Sequence, residues 1–167
     1  MTDEMFDVVD ENDVVVRQLP RSQVHAQRLI HRATHIFVFR SDSRLLIHKR
    51  TDDKEEFPGV WTSSASGHVS AGEDYDAAAP RELFEELGLR AELTRLHKFA
   101  PGLETCREHT VLYETTCDDV VNVDPTEIAA VDELQLSEVR DRIGGTPELF
   151  SPAFRLLFAW YCENRLS

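Results

Sequence analysis

The chain has 167 residues, 41% of them hydrophobic, with 18 Lys and Arg against 31 Asp and Glu, a formal charge of −13. That suits one domain over residues 1–167 with a core of ordinary size, and no stretch approaches the roughly 20 apolar residues of a membrane helix. The acidic balance argues against general nucleic-acid binding, since phosphates would be repelled, and Met1 to Asp13, with six acids and no base, reads as neither signal nor transit peptide.

Along the chain, Phe6–Val9 and Val14–Arg17 flank the acidic turn Asp10–Asp13 and read as a hairpin. Ser22 is an N-cap candidate for a short helix to Ile30, so residues 1–33 form an N-terminal hairpin and helix. Thr34–Arg40 and Arg44–Arg50 flank Ser41-Asp42-Ser43 as a second hairpin. Phe57-Pro58-Gly59 opens an irregular segment to Gly72. Tyr75–Leu87 reads as a helix, with Asp74 as N-cap and Gly88 as stop; Pro80 should kink it or delay its start. Glu92–Ala100, His109–Thr116 and Val131–Leu136 read as strands. Ser137–Ile143 and Pro152–Asn164 read as helices, the latter with a core stripe of Phe154, Leu157, Phe158 and Tyr161. Three cysteines without metal-type spacing, Cys106, Cys117 and Cys162, point to free thiols in the cytoplasm.

Charge is unevenly spread. Arg17 to Lys54 holds nine of the 18 bases and three acids, whereas Glu73 to Glu86 holds six acids and one base, Arg81. Cations facing carboxylates are what a metal–phosphate site requires.

The informative stretch is Gly67 to Leu89, GHVSAGEDYDAAAPRELFEELGL, with the spacing G-x5-E-x7-R-E-U-x-E-E-x-G-U, where U is aliphatic. Seven specified positions coincide by chance with a probability on the order of 10⁻⁸ per start point. On a helix, Glu82, Glu85 and Glu86 stand at i, i+3 and i+4, so their carboxylates share one face. Three like charges there need a cation, and hard oxygen ligands suit Mg²⁺, with Mn²⁺ as second candidate. Leu83 and Leu87 face the other way, into the core. Gly67 and Gly72 bracket a tight loop that lets backbone carbonyls approach the metal. Arg81 is close enough to pair with Glu73 and fix that loop.

This stretch, residues 67–89, matches the Nudix box at every specified position, and the chain resembles the Nudix hydrolases. The resemblance implies an α+β fold, an α/β/α sandwich around a mixed sheet, and metal-dependent hydrolysis of a diphosphate linkage in a nucleoside di- or triphosphate or a nucleoside-diphosphate conjugate. It makes Glu82, Glu85 and Glu86 metal ligands and, with Arg81, the catalytic set; Gly67, Glu73 and Gly88 shape the box. Which glutamate activates the water differs among members. Arg50 and Lys54, before Phe57-Pro58-Gly59, are candidates for substrate phosphates. Phe57 and Trp61 read as packing residues.

Within the family, the segments VVDENDVVVRQLPRSQVHAQRLIHRATHIFVF and HKRTDDKEEFPGVWTSSASGHV resemble the branch containing isopentenyl-diphosphate isomerase. In that branch a catalytic cysteine precedes the Gly-His pair, where this chain has Ser66, and of two glutamates on a later strand this chain keeps Glu108 and replaces the other with Thr110. A hydroxyl with no evident base cannot do the thiol's proton chemistry at neutral pH, so hydrolysis is expected rather than isomerisation. A prenyl-diphosphate isomerase and a catalytically silent nucleotide-binding module are the rival readings. His31, His68 and Glu108 match metal ligands of the branch, with His25 one residue off the expected spacing; lining the substrate cleft is the preferred reading for His31 and His68. His35 and His48 read as structural. The expected partner is a small-molecule diphosphate, and the N-terminal hairpin offers an added strand or a homodimer contact.

Overall fold

The computed structural model describes residues 2–166. Branched and aromatic residues between 31 and 50 form two central strands, β3 (His31–Phe39) and β4 (Leu45–Arg50), in chain order after the hairpin β1 (Met5–Val9), β2 (Val15–Pro20) and the helix α1 (Arg21–Ala26). There follow β5 (Trp61–Thr62), β6 (Ala65–His68), α2 (Tyr75–Leu87), β7 (Thr94–Phe99), β8 (Glu108–Thr116), β9 (Ile128–Leu134), α3 (Leu136–Gly145) and α4 (Pro152–Arg165). The main sheet runs β5-β4-β3-β8-β7, with β6 also on β3 and β9 on β4. It is mixed: β3 and β8 are parallel, the other pairs antiparallel.

Alternation along the strands divides the core in two. Ile36, Val38, Leu46 and Val111 meet Leu83 and Leu87 of α2, while Phe37, Leu45, Ile47 and Leu112 meet Phe154 and Leu157 of α4. This is the expected α/β/α sandwich. The hairpin forms its own small sheet rather than an added strand of the main one, with a third cluster of Phe6, Val8 and Val24 beneath it. It is fastened to the main body: Arg32 Nε donates to Asp13 (2.6 Å), Tyr75 Oη donates to Asp13 (2.8 Å), and His109 Nε2 donates to the Asp10 carbonyl (2.9 Å).

Several local expectations change. Helix α1 is capped at Pro20 rather than Ser22 and stops at Ala26, because Arg28 takes a positive φ of 52° and turns the chain back. Pro80 neither delays nor interrupts α2, which begins at Tyr75 with the Asp74 side chain accepting from Ala77 N (2.8 Å) and ends at Gly88, φ 68°. The segment expected to be irregular contains β5, too short at two residues to show a period, and β6, whose Ser and Gly hide it. Strand β9 starts three residues before the expected Val131. Among the described residues, no helix is long and apolar enough to cross a membrane.

Two buried histidines hold the sheet interior together. His48 Nδ1 donates to the Ser64 carbonyl (2.9 Å), and His35 Nδ1 lies 2.7 Å from Ser63 Oγ. Burial pushes both rings down to about 4, so the unfolded chain binds more protons between about pH 6.5 and pH 4. Stability is therefore lost as pH falls through that window, by on the order of 3 kcal/mol per ring. His48→Asn keeps the Nδ donor without the titration. The stability difference between wild type and this variant, from urea melts, should shift against the wild type by about that amount between pH 7 and pH 4; a constant difference would show that His48 is not held neutral.

Candidate active site and its metal-ligating residues

One cleft of about 500 Å³ collects most of the predicted residues: Glu82, Glu85 and Glu86 from α2, Glu108 from β8, and Arg50 and Lys54 from β4 and the loop after it. His68 and Gly67 of β6 line it as well. Of the basic segment, Arg21, Arg50 and Lys54 reach the cleft, while Arg32, Arg40 and Arg44 pair elsewhere with Asp13, Glu133 and Asp42. Lys54 pairs with Glu127 on the cleft wall, and Arg50 Nε donates to the Glu56 carbonyl (3.1 Å). Trp61 packs on the α4 core, and half-exposed Phe57 borders the cleft.

The box is organised by Arg81. Its Nε and Nη2 donate to the two oxygens of Glu73 (2.8 and 2.9 Å), and Nη2 also donates to the His68 carbonyl (3.1 Å). Nη1 reaches Glu82 (2.8 Å) and Glu85 (3.1 Å). The guanidinium thus spends its donors on protein partners and positions the box from the cleft wall. Burial would raise Glu73, but Arg81 and the Ser70 N–H hold it below the usual carboxylate range.

The glutamates behave differently. Burial pushes Glu82 up to about 7 against the pull of Arg81. Glu86 is driven well above the usual range by burial, although its Oε1 accepts from Ser66 N at 2.6 Å. Glu85 is more than half exposed. Two buried carboxyls that titrate high, with a third beside them, are a hard oxygen donor set short of positive charge, and they fit a Mg²⁺-type cation.

Gly67 has a different role from the one read in the sequence. It lies in β6, not in a loop, and a Cβ there would fall inside the Glu82 carboxyl group. Glycine is required so that the acid can rest against the strand. Gly67→Ala should fold nearly normally, because the displaced group is the end of a flexible side chain, yet lose about tenfold or more in Mg²⁺ affinity by calorimetry. Unchanged affinity would detach Glu82 from the metal.

The sequence reading ranked a histidine-rich centre second; the structure assembles one. His25, His31 and His68 each offer a ring nitrogen, all within 4.8 Å of one another. The Arg28 turn after α1 absorbs the irregular spacing of His25. Phe6 of β1 stacks on His31 (5.6 Å, 8°) and lies 4.8 Å from His68, so the hairpin walls this centre. His31 Nδ1 donates to the Leu29 carbonyl (2.9 Å), leaving Nε2 as the ligating atom. Among the described residues the buried Nε2 of His25 has no hydrogen-bond partner, and that of His31 has only the Glu108 carboxylate beside it, a shortage which a bound cation would remedy. Glu108 Oε1 lies 2.9 Å from His68 Nε2 and 3.2 Å from His31 Nε2. Burial would raise Glu108, but the two rings hold it far below the usual range. Thr110, two residues on, is fully buried.

Known proteins resemble this chain in sequence and in fold. The model of the NUDIX domain matches residues 29–154. An isopentenyl-diphosphate Δ-isomerase of Pectobacterium atrosepticum is 32% identical over 157 residues, covering 91% of this chain and 88% of its own. A Nudix hydrolase of Yersinia pestis is 34% identical over 163 residues, covering 96% and 87%. A crystal structure from Deinococcus radiodurans superposes with a TM-score of 0.84 at 28% identity, covering 94% of this chain and 98% of the other. The NUDIX domain of Shewanella oneidensis NrtR, solved with ADP ribose, has the same fold at 15% identity and a TM-score of 0.64, covering 89% and 100%. With the box residues gathered in one cleft and the domain matched over most of its length, the chain belongs to the Nudix hydrolase family.

Proposed function

We propose that this protein hydrolyses the diphosphate linkage of a nucleoside di- or triphosphate, or of a nucleoside-diphosphate conjugate, with Mg²⁺ or Mn²⁺ and in the cytoplasm. The observation that carries the reading is the convergence of Glu82, Glu85 and Glu86 with Arg50 and Lys54 on one cleft. Glu82, Glu85 and Glu86 would hold the cation, with Glu108 as a ligand from outside the box. When bound, it would supply charge to the bridging phosphate oxygens and lower the pKa of the attacking water. Arg50 and Lys54 bind the phosphates, Lys54 exchanging Glu127 for the substrate. Arg81 keeps the glutamates in register, and a cleft glutamate takes the water's proton. A protein of the same fold crystallised with ADP ribose supports the nucleotide class.

The second metal centre follows from the orphaned nitrogens. His25, His31, His68 and Glu108 would take a cation tolerant of imidazole, such as Mn²⁺ or Zn²⁺. The resemblance to the isomerases extends to this set but not to position 66, which is serine.

The test is release of the cleavage products (nucleoside monophosphate, pyrophosphate or phosphate, resolved by chromatography) across nucleotides, diphosphate conjugates and isopentenyl diphosphate, with Mg²⁺ and with Mn²⁺, comparing wild type with Glu85→Gln. Metal-dependent turnover on a nucleotide, at least about tenfold weaker in the variant, is expected. Isomerisation of the prenyl diphosphate without phosphate release would overturn the reading, as would binding without any turnover.

A further inference from the structure

His35 was read as structural, yet it lines the cleft. It sits on β3 on the same side as Phe37, and so faces α4 rather than the glutamates of α2. Its residue is 6% exposed. Nδ1 is engaged by Ser63 Oγ, but Nε2 has no hydrogen-bond partner among the described residues.

The proton on this ring can be placed. Ser63 is fully buried, and His35 Nδ1 is its hydroxyl's one partner among the described residues. The hydroxyl satisfies its own proton only by donating to Nδ1, which puts the ring's proton on Nε2. An unpartnered N–H donor therefore opens into the cleft.

The start of α4 meets the same end of the cleft. Ser151, its N-cap, accepts from Phe154 N (3.2 Å), lies 2.9 Å from Thr62 Oγ1 and donates its N–H to the Trp61 carbonyl (2.9 Å). Thr62 precedes the Ser63 that holds His35, so both donors are fixed to one short segment. Pro152 has no N–H and Phe154 is capped, which leaves the Ala153 N–H as the free donor of the first turn of a 14-residue helix. Ala153 lines the cleft together with His35, Thr62 and Ser151.

We propose that the His35 Nε2–H and the Ala153 N–H form an oxyanion subsite at the α4 end of the cleft, taking a phosphate oxygen that the glutamates of α2 do not hold. Two unpartnered donors on the cleft wall, one of them at the positive end of a helix, suit an anionic oxygen. Arg50 adds positive charge near the ring, and the opposing Glu108 is engaged by His31 and His68. Small residues, Ala33 and Ala153, leave room for the ligand. The phosphate is either one of the substrate's, which rests on the hydrolase reading, or free inorganic phosphate from solution, which does not.

The experiment is a titration of inorganic phosphate into the protein in EDTA at constant ionic strength, observed on the His35 ring by long-range ¹H–¹⁵N NMR. The ring should be protonated on Nε2 and its signals should move saturably. His35→Leu should weaken phosphate binding by about tenfold, and His35→Gln, which returns an amide donor near Nε2, should recover most of it. Ala153→Asp should abolish the shift without lowering the Tm, since an acid in a first helical turn suits the dipole. A ring protonated on Nδ1, a ring unmoved while phosphate saturates the protein, or wild-type affinity in Ala153→Asp would each overturn the proposal. A second arm adds ADP and Mg²⁺ to Glu85→Gln. A shift there assigns the subsite to substrate; a shift with inorganic phosphate but none with ADP assigns it to free phosphate. Because the titration needs no turnover, an inactive enzyme whose His35 answers phosphate would keep the subsite and sink the hydrolase reading.

Discussion

Glu86→Gln is expected to lower metal-dependent turnover by about 10³-fold and, in EDTA at neutral pH, to raise stability by about 1–2 kcal/mol. The two effects have one cause. Glu86 is 6% exposed, and a single backbone N–H, that of Ser66, donates to it. A carboxylate so placed is expensive without a cation. Glutamine has the same shape and accepts the same N–H, but brings no charge to bury. The pH dependence fixes the sign. Burial raises the Glu86 carboxyl in the folded state, so its favourable contribution is complete below about pH 4.5, the ordinary value, and is lost as pH rises through the raised one. The advantage of the variant should be greatest at neutral pH and vanish toward pH 4. Thermal melts across pH, paired with the turnover assay, check both halves. An inactive variant that is also less stable would make Glu86 a structural residue.

Arg81→Ala is expected to destabilise the protein by about 2–3 kcal/mol and to cost at least about 10²-fold in turnover. The stability figure lies below that for breaking a fully buried pair because the Arg81 side chain is 30% exposed. Removing the guanidinium strands Glu73, Glu82 and Glu85 together and releases the His68 carbonyl. Added Mg²⁺ should restore more of the Tm in the variant than it adds to wild type, since it meets carboxylates that have lost their only nearby organic cation. Arg81→Lys should recover charge but not the two-pronged grip on Glu73. Equal stabilisation of both proteins by Mg²⁺ would show that Arg81 does not neutralise the box.

The box was legible in the sequence because helical spacing alone places Glu82, Glu85 and Glu86 on one face, and α2 has the predicted bounds, Tyr75 to Leu87. The long strands announced themselves through Val, Ile and Phe. What could not be read was whatever depends on where the backbone turns. His25 looked misplaced until the positive φ of Arg28 showed how the chain returns. Strand β6, Ala-Ser-Gly-His, has no hydrophobic period, because only Ala65 belongs to the core and the other three residues serve sites. His35 was indistinguishable from a packing residue, since only the fold shows which of its ring nitrogens is occupied.

Strand β6 also bears on how such a protein changes over generations. Gly67 is fixed by the carboxyl resting on it, and His68 by its ring contacts and by its carbonyl. Ser66 stands between Ala65 and Gly67, yet it meets Glu86 through its backbone N–H alone, and its hydroxyl has no partner among the described residues. The side chain at 66 is therefore an exchangeable socket. It points its chemistry at whatever lies in the cleft, while what position 66 gives to the glutamate centre is an N–H that every amino acid except proline supplies. A lineage can swap the reactive group there in a single substitution and leave the surrounding machinery intact, whereas an insertion or deletion in the same strand would dismantle both centres at once.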